Sequence, residues 1–176
     1  MRSPYEFKVS QSTIREAFRK LEAMQLVESL PRRGVRVTRI DAAGEQGIAT
    51  MRSALEVLAL RSITRTVPPA HLTSLREILK RGDASDNLFD SEAANRDFYV
   101  MLARPCGMPR LIATIAELNL AYSRHVLASA RSDSWKPSYN FGHWQIFDAY
   151  AAGEMEQTAG LLARHINSVD RVTKRH

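Results

Sequence analysis

Two groups of residues have types and spacing suited to chemistry. The first is basic and hydroxyl-rich. An amphipathic helix over residues 11–21 would put Ile14, Ala17, Phe18 and Leu21 on one stripe and leave Gln11, Thr13, Arg15 and Arg19 outward. Residues 1–40 carry nine Lys/Arg against four acids, and the other 136 residues carry sixteen against fifteen. A basic head on a nearly neutral body points to a polyanionic partner for the head, or simply to a solvated basic surface. The second group lies in the body. Arg52 is followed one helical turn later by Glu56, and Arg124 by His125. An Arg turned inward could grip a carboxylate with two hydrogen bonds; turned outward it would form a weak surface ion pair.

Several reaction classes lack their signatures. There is no glycine-rich phosphate loop, no nucleophile elbow and no His-Glu-x-x-His. Cys106, the single cysteine, sits in Pro-Cys-Gly with no local base or cation to activate it and no partner for a disulfide. The chain therefore reads as a non-enzyme, with a metal- or His-dependent hydrolase as a weaker alternative. No apolar run approaches the ~20 residues needed to cross a bilayer, and MRSPYEFKVS lacks the apolar core of a signal peptide. A reduced, cytoplasmic setting without membrane contact is the expectation.

The elements that must position these residues change character near residues 40–46, so two domains are expected, 1–40 and 46–176. In the head, Ser10 or Ser12 suits a helix N-cap. LVESL and VRVTRI read as short strands around the turn PRRG, where Gly34 suits positive φ. Helix, strand, basic turn and strand make the second half of a winged helix-turn-helix. The body reads as helices at roughly 46–66, 71–79, 90–104, 109–130, 138–152 and 154–172. The fold class is thus mainly α: a partial winged helix-turn-helix followed by an antiparallel bundle of six to seven helices. Trp144 reads as core packing.

The stretch VSQSTIREAFRKLEAMQLVESLPRRGVRV resembles the recognition helix and wing of GntR-family regulators. The pieces MRSALEVLALRS, FYVMLARPCGMP and GHWQIFDAYAAGEMEQTAGLLARHI resemble the FCD domain of that family's FadR-like branch. The resemblance implies a dimeric, ligand-responsive transcription factor, usually a repressor, whose helical domain binds a small organic acid or related metabolite. It implies operator contacts by Ser10, Gln11, Ser12, Thr13, Arg15, Arg32 and Arg33. Hydroxyls at the helix N-terminus suit phosphate, Arg15 and Gln11 suit base edges, and the wing arginines suit phosphate or the minor groove. The family's head starts with two further helices, whereas only MRSPYEFK precedes Val9 here, so weak DNA binding is expected of this chain. A small-molecule sensor or dimerisation module without DNA binding is the alternative.

The resemblance also implies a divalent metal (Zn, Ni or Mn class) held by an Asp and a His one turn apart plus two more His. His143 and His165 match the last two positions. Asn95 and Tyr99 stand where the Asp and the first His belong. A neutral amide is a weak ligand, and two His rarely hold Zn tightly. No cofactor is therefore required, and a metal on His143, His165 and Asn95 is the lesser reading. In a metal-free cavity Arg52, Asn95, Tyr99, Arg124, His143 and His165 would contact a carboxylate-type effector. A third reading makes both His ordinary core residues.

Overall fold

A computed structural model describes residues 9–23, 26–38, 42–129 and 140–173. The chain divides into two compact units, with the division between residues 40 and 41.

The first unit contains helix α1 (Gln11–Ala23) and a two-stranded antiparallel hairpin, β1 (Val27–Leu30) and β2 (Gly34–Val37). Ser10 is the N-cap: its Oγ accepts from the Thr13 amide at 3.2 Å. The hairpin pairs Val27 with Val37 and Leu30 with Gly34. The connecting turn is closed by the Arg33 amide donating to the Leu30 carbonyl at 3.0 Å. Pro31 takes the second turn position, and Arg32 the third at φ 60. That is the pattern of a type II turn, which normally wants glycine there. The sequence reading found the positive φ of Gly34 (φ 82) but not that of Arg32. α1 and β1 are tied together by the Ser29 amide donating to Glu22 Oε1 at 2.9 Å.

The second unit is a bundle of α2 (Ala42–Arg61), α3 (Pro69–Asp83), α4 (Leu88–Ala103), α5 (Pro109–Ser129), α6 (Asn140–Ala151) and α7 (Met155–Thr173), with a short 3-10 turn at Arg104–Cys106. α2 packs chiefly on α7 and α5, α4 on α3 and α5, and α6 on α7 and α3. The core holds Leu60, Leu75, Phe98, Leu102, Ile146, Phe147, Tyr150 and Leu162, all buried. Side chains of this size contribute about 1.5–3 kcal/mol each when buried.

Helix ends follow local chemistry. Pro69 starts α3 after the extended Pro68. Asn87 caps α4, its side chain accepting from the Asp90 amide at 2.9 Å. Gly153, at φ 79, ends the turn after α6 while the Glu154 amide reaches back to the Ala149 carbonyl at 3.0 Å.

Both boundaries of α2 differ from the sequence reading. α2 begins at Ala42 rather than near 46, because Glu45 is buried and bonded to His125 Nε2 at 2.8 Å, which draws the glycine-containing start into the bundle. It also ends at Arg61, five residues early. The Ser62 and Ile63 amides make the last helical bonds, and an irregular stretch with Ile63 and Val67 buried leads on to Pro68. Residues 138 and 139, expected in the fifth bundle helix, lie outside the described residues.

Candidate functional site: a buried polar cavity in the bundle

In the bundle, the face of α4 bearing Glu92, Asn95 and Tyr99, at spacings of three and four, turns inward. α2 brings Arg52 and Glu56, α5 brings Asn119, Tyr122, Ser123 and Val126, α6 brings His143, and α7 brings His165 and Ile166. Arg52, Glu92, Asn95, Tyr99, Tyr122, Val126 and Ile166 line a cavity of about 260 Å³ between atoms. A second cavity, of about 330 Å³, lies toward α3 and α6 and shares Glu92 and Asn95 with the first; Phe98 and His143 lie on its wall.

Arg52 and Glu56 form a buried ion pair, Nε to Oε1 at 2.9 Å, with both side chains at most 3% exposed. Asn119 Nδ2 donates to the same Glu56 oxygen at 2.9 Å. The Arg52 guanidinium also lies over the Tyr99 and Tyr122 rings, 4.5 and 4.8 Å from their centroids. The Tyr99 hydroxyl is 2.9 Å from His143 Nε2, and the His143 and His165 rings are 4.5 Å apart. His165 sits hard against Gly142, where a side chain would collide with it.

Burial penalises charge and sets the protonation of these groups. Burial, then His165 and Arg52, pull His143 well below its ordinary value. Burial and Arg52 pull His165 down to about 4. Both imidazoles are neutral near pH 7. Burial pushes Tyr99 up, so its hydroxyl stays protonated. Burial pushes Glu92 up, partly opposed by hydrogen bonds from Ser123 and Asn95. Burial also pushes Glu56 up, against the pull of Arg52 and Asn119. Burial works against the Arg52 charge, but Glu56, Tyr99 and Tyr122 together raise its pKa on balance, so it stays charged.

Five buried polar atoms around this region have no partner: Arg52 Nη2, Glu56 Oε2, Glu92 Oε2, Asn95 Oδ1 and His165 Nε2. Each such orphan costs about 1–3 kcal/mol. Such a concentration of unpaired polar atoms suits the binding of a polar ligand or of ordered water.

The structure brings five of the six expected effector residues together. Arg124 is not among the residues that line either cavity; it is half-buried on α5, one position beyond inward-facing Ser123. Sequence reasoning missed Glu92, although its spacing from Asn95 and Tyr99 marks one helical face. It also left Tyr122 and Asn119 unread. Trp144 packs edge-on against Phe147 at 5.7 Å and donates to Asp83 at 2.8 Å, a packing role with a polar anchor.

The donor set does not fit a tightly held divalent ion. Among the described residues no three His, Cys, Asp or Glu converge. His143 Nε2 is taken by Tyr99, Asn95 offers only an amide oxygen, and the Arg52 cation bears on both imidazoles. A second positive charge there would be repelled.

In the head, Gln11, Ser12, Thr13, Arg15, Arg32 and Arg33 are all exposed. Ser10 Oγ is engaged within α1, contacting Ser12 and Thr13 hydroxyls at 2.6 and 2.9 Å. The two acids of α1 are engaged, Glu16 with Lys20 on the same helix at 3.0 Å and Glu22 with the Ser29 amide. Arg36 pairs with Glu28 at 2.6 Å, whereas Arg15, Arg32 and Arg33 form no ion pair among the described residues. Arg32 is held in the left-handed backbone region at the wing tip, a placement costing roughly 1–2 kcal/mol for a residue with a Cβ.

Comparison with known proteins gives a consistent result. The FCD domain model matches residues 47–168, and the model described as bacterial regulatory proteins, gntR family, matches residues 5–37. The chain is 29% identical over 177 residues to "Uncharacterized HTH-type transcriptional regulator BphR" of Paraburkholderia xenovorans, covering 96% of this chain and 71% of that protein. It is 28% identical over 163 residues to "Probable D-xylose utilization operon transcriptional repressor" of Paenarthrobacter nicotinovorans, covering 89% and 70%. A solved GntR regulator from Rhodococcus sp. RHA1 superposes with a TM-score of 0.86 at 20% identity, covering 98% of this chain and 86% of that one. E. coli McbR/YncC superposes with a TM-score of 0.81 at 19% identity, covering 97% and 83%. At these identities the two solved structures speak for the fold alone.

Proposed function

This chain belongs to the FCD-domain family of GntR-type transcriptional regulators, and on that premise we propose that the cavity between α2, α4, α5, α6 and α7 is its effector site. The protein is a regulator with a helical effector-binding domain, not an enzyme. The observation that carries the site is the set of unpartnered polar atoms on Arg52, Glu92 and Asn95, which line one cavity, with those of Glu56 and His165 on the neighbouring stretches of α2 and α7. Arg52, Asn95, Tyr99, His143 and His165 are its contacts or close supports, joined by Glu92 and Tyr122. The effector would meet Arg52 at Nη2, which has no hydrogen-bond partner, beside the buried carboxyl groups of Glu56 and Glu92.

Operator DNA is the partner of the head. Gln11, Thr13 and Arg15 are placed to read or hold DNA from α1, and Arg32 and Arg33 from the wing. Ser10 serves as the cap that orients them. Division into a head up to residue 40 and an effector domain beyond it fits the unit boundary. Met51 and Leu58 leave an exposed apolar row on α2, 47% and 46% exposed, that suits homodimerisation. No helix among the described residues is long and apolar enough to cross a membrane, consistent with action on DNA in the cytoplasm.

The test is release of an operator fragment by a small-molecule extract of the source cells, compared between wild type and Tyr99→Trp, which fills the cavity. Release of the wild type only supports the site. Equal release of both proteins refutes it.

A further inference from the structure

We infer that this cavity takes a neutral, hydroxyl-rich ligand, a small polyol or aldose, in preference to a carboxylate or an amine. The inference rests on the effector-site reading above and narrows it.

The first argument is hydrogen-bond matching. The unpartnered atoms on the cavity wall are Glu92 Oε2 and Asn95 Oδ1, with Glu56 Oε2 and His165 Nε2 beside them, against Arg52 Nη2 as the one charged donor. A carboxylate only accepts, so it could satisfy Arg52 and would leave the oxygens unpaired. A hydroxyl both donates and accepts. Adjacent hydroxyls can give protons to Glu92 and Asn95 while taking one from Arg52.

The second argument is charge. Arg52 is already neutralised by Glu56 at 2.9 Å, with both groups buried. Arg96, the nearest further cation on α4, is half-buried and donates to Ser123 Oγ at 2.7 Å. An entering anion would therefore lie beside Glu56 with no spare counter-charge. An entering ammonium would lie beside Arg52. Either is an unpaired charge taken out of water, which costs far more than burying a hydrogen-bonded hydroxyl. Burial also moves Glu92, His143 and His165 toward their neutral forms, which leaves no strong field to recruit an ion.

The third argument is shape. Tyr99, Tyr122, Val126 and Ile166 give the same cavity apolar walls. A sugar or polyol presents C–H groups to such walls and hydroxyls to the polar edge.

The experiment is a thermal-shift titration of the full chain with erythritol, xylitol, D-xylose and D-ribose, alongside succinate and putrescine. It is repeated on Val126→Trp, which fills the cavity, and on Glu92→Gln, which changes one wall group without changing its shape. The expected result is a saturable rise in Tm with at least one neutral compound, lost in Val126→Trp and shifted to about tenfold higher concentration in Glu92→Gln. Non-specific stabilisation by polyols does not saturate and would be the same in all three proteins. Saturable shifts from succinate or putrescine alone, lost in the variants, would overturn the ligand class and leave the site standing. Shifts of any class that neither variant alters would overturn the site, and the inference with it. Absence of a saturable shift from every neutral compound also overturns the inference. Should Val126→Trp fail to fold, Glu92→Gln decides.

Discussion

The close approach of α7 to α6 offers a sharp test of the packing around the two histidines. Replacing Gly142 by Ala would ordinarily stabilise a helix by up to ~1 kcal/mol. Here the new Cβ would meet His165 Nδ1 well inside van der Waals contact and Cε1 at 2.9 Å. The ring has little room to retreat, because His143 lies 4.5 Å and Tyr99 6.5 Å away, centroid to centroid. Overpacking of this kind costs about 1–3 kcal/mol, so the clash outweighs the propensity gain and the net change is destabilising by up to ~2 kcal/mol. For a chain of this length each kcal/mol moves Tm by about 2–4 °C. Gly47→Ala is the control, since its Cβ would meet nothing within 4 Å in α2; it should raise Tm by a few degrees. Calorimetry or near-ultraviolet melting of both variants gives the comparison. Gly142→Ala combined with His165→Ala should be less destabilised than the sum of the single changes. A Tm for Gly142→Ala equal to or above that of Gly47→Ala would refute the reasoning.

Other outcomes follow from the same structure. Glu56→Leu should lose about 3–5 kcal/mol by stranding Arg52, and Arg52→Met with Glu56→Leu much less, as read by urea denaturation. Because the folded His165 titrates near 4 against 6.5, the unfolded chain binds its proton first. Its contribution is therefore flat above pH ~6.5 and increasingly destabilising as pH falls toward 4, by about 3 kcal/mol at the limit. Urea midpoints of wild type against His165→Gln across that range should diverge by this amount; parallel curves would remove His165 as the cause. Arg15→Ala should weaken operator binding by about 1–3 kcal/mol in fluorescence anisotropy without changing the melting of the helical unit. Dialysis against EDTA should leave Tm unchanged, since the cavity's donors do not suit a divalent ion.

The helical pattern of the body, the strand–turn–strand wing and the basic head were legible from residue order, because apolar period, caps and charge are local properties. Four residues that line the two cavities, Arg52, Asn95, Tyr99 and His143, could be picked from spacing and resemblance. Glu92 was equally legible as the start of the face that continues through Asn95 and Tyr99, and only its charge made it look like a surface residue. What tertiary structure alone decided is how those groups are used. Arg52 looked equally suited to a ligand or a surface partner; packing of α2 against α5 and α7 buried it together with Glu56, so its charge is balanced before any effector arrives. His143 and His165 looked like a metal's last two ligands; burial and the nearby Arg52 charge keep both imidazoles neutral, and Tyr99 engages His143. Arg124 and Ser123 are neighbours in sequence, yet Ser123 is buried beside Glu92 and Arg124 is not in the lining. Side-chain period says which residues share a face, but which faces meet, and hence what is desolvated and paired, is settled by helices distant in sequence coming together.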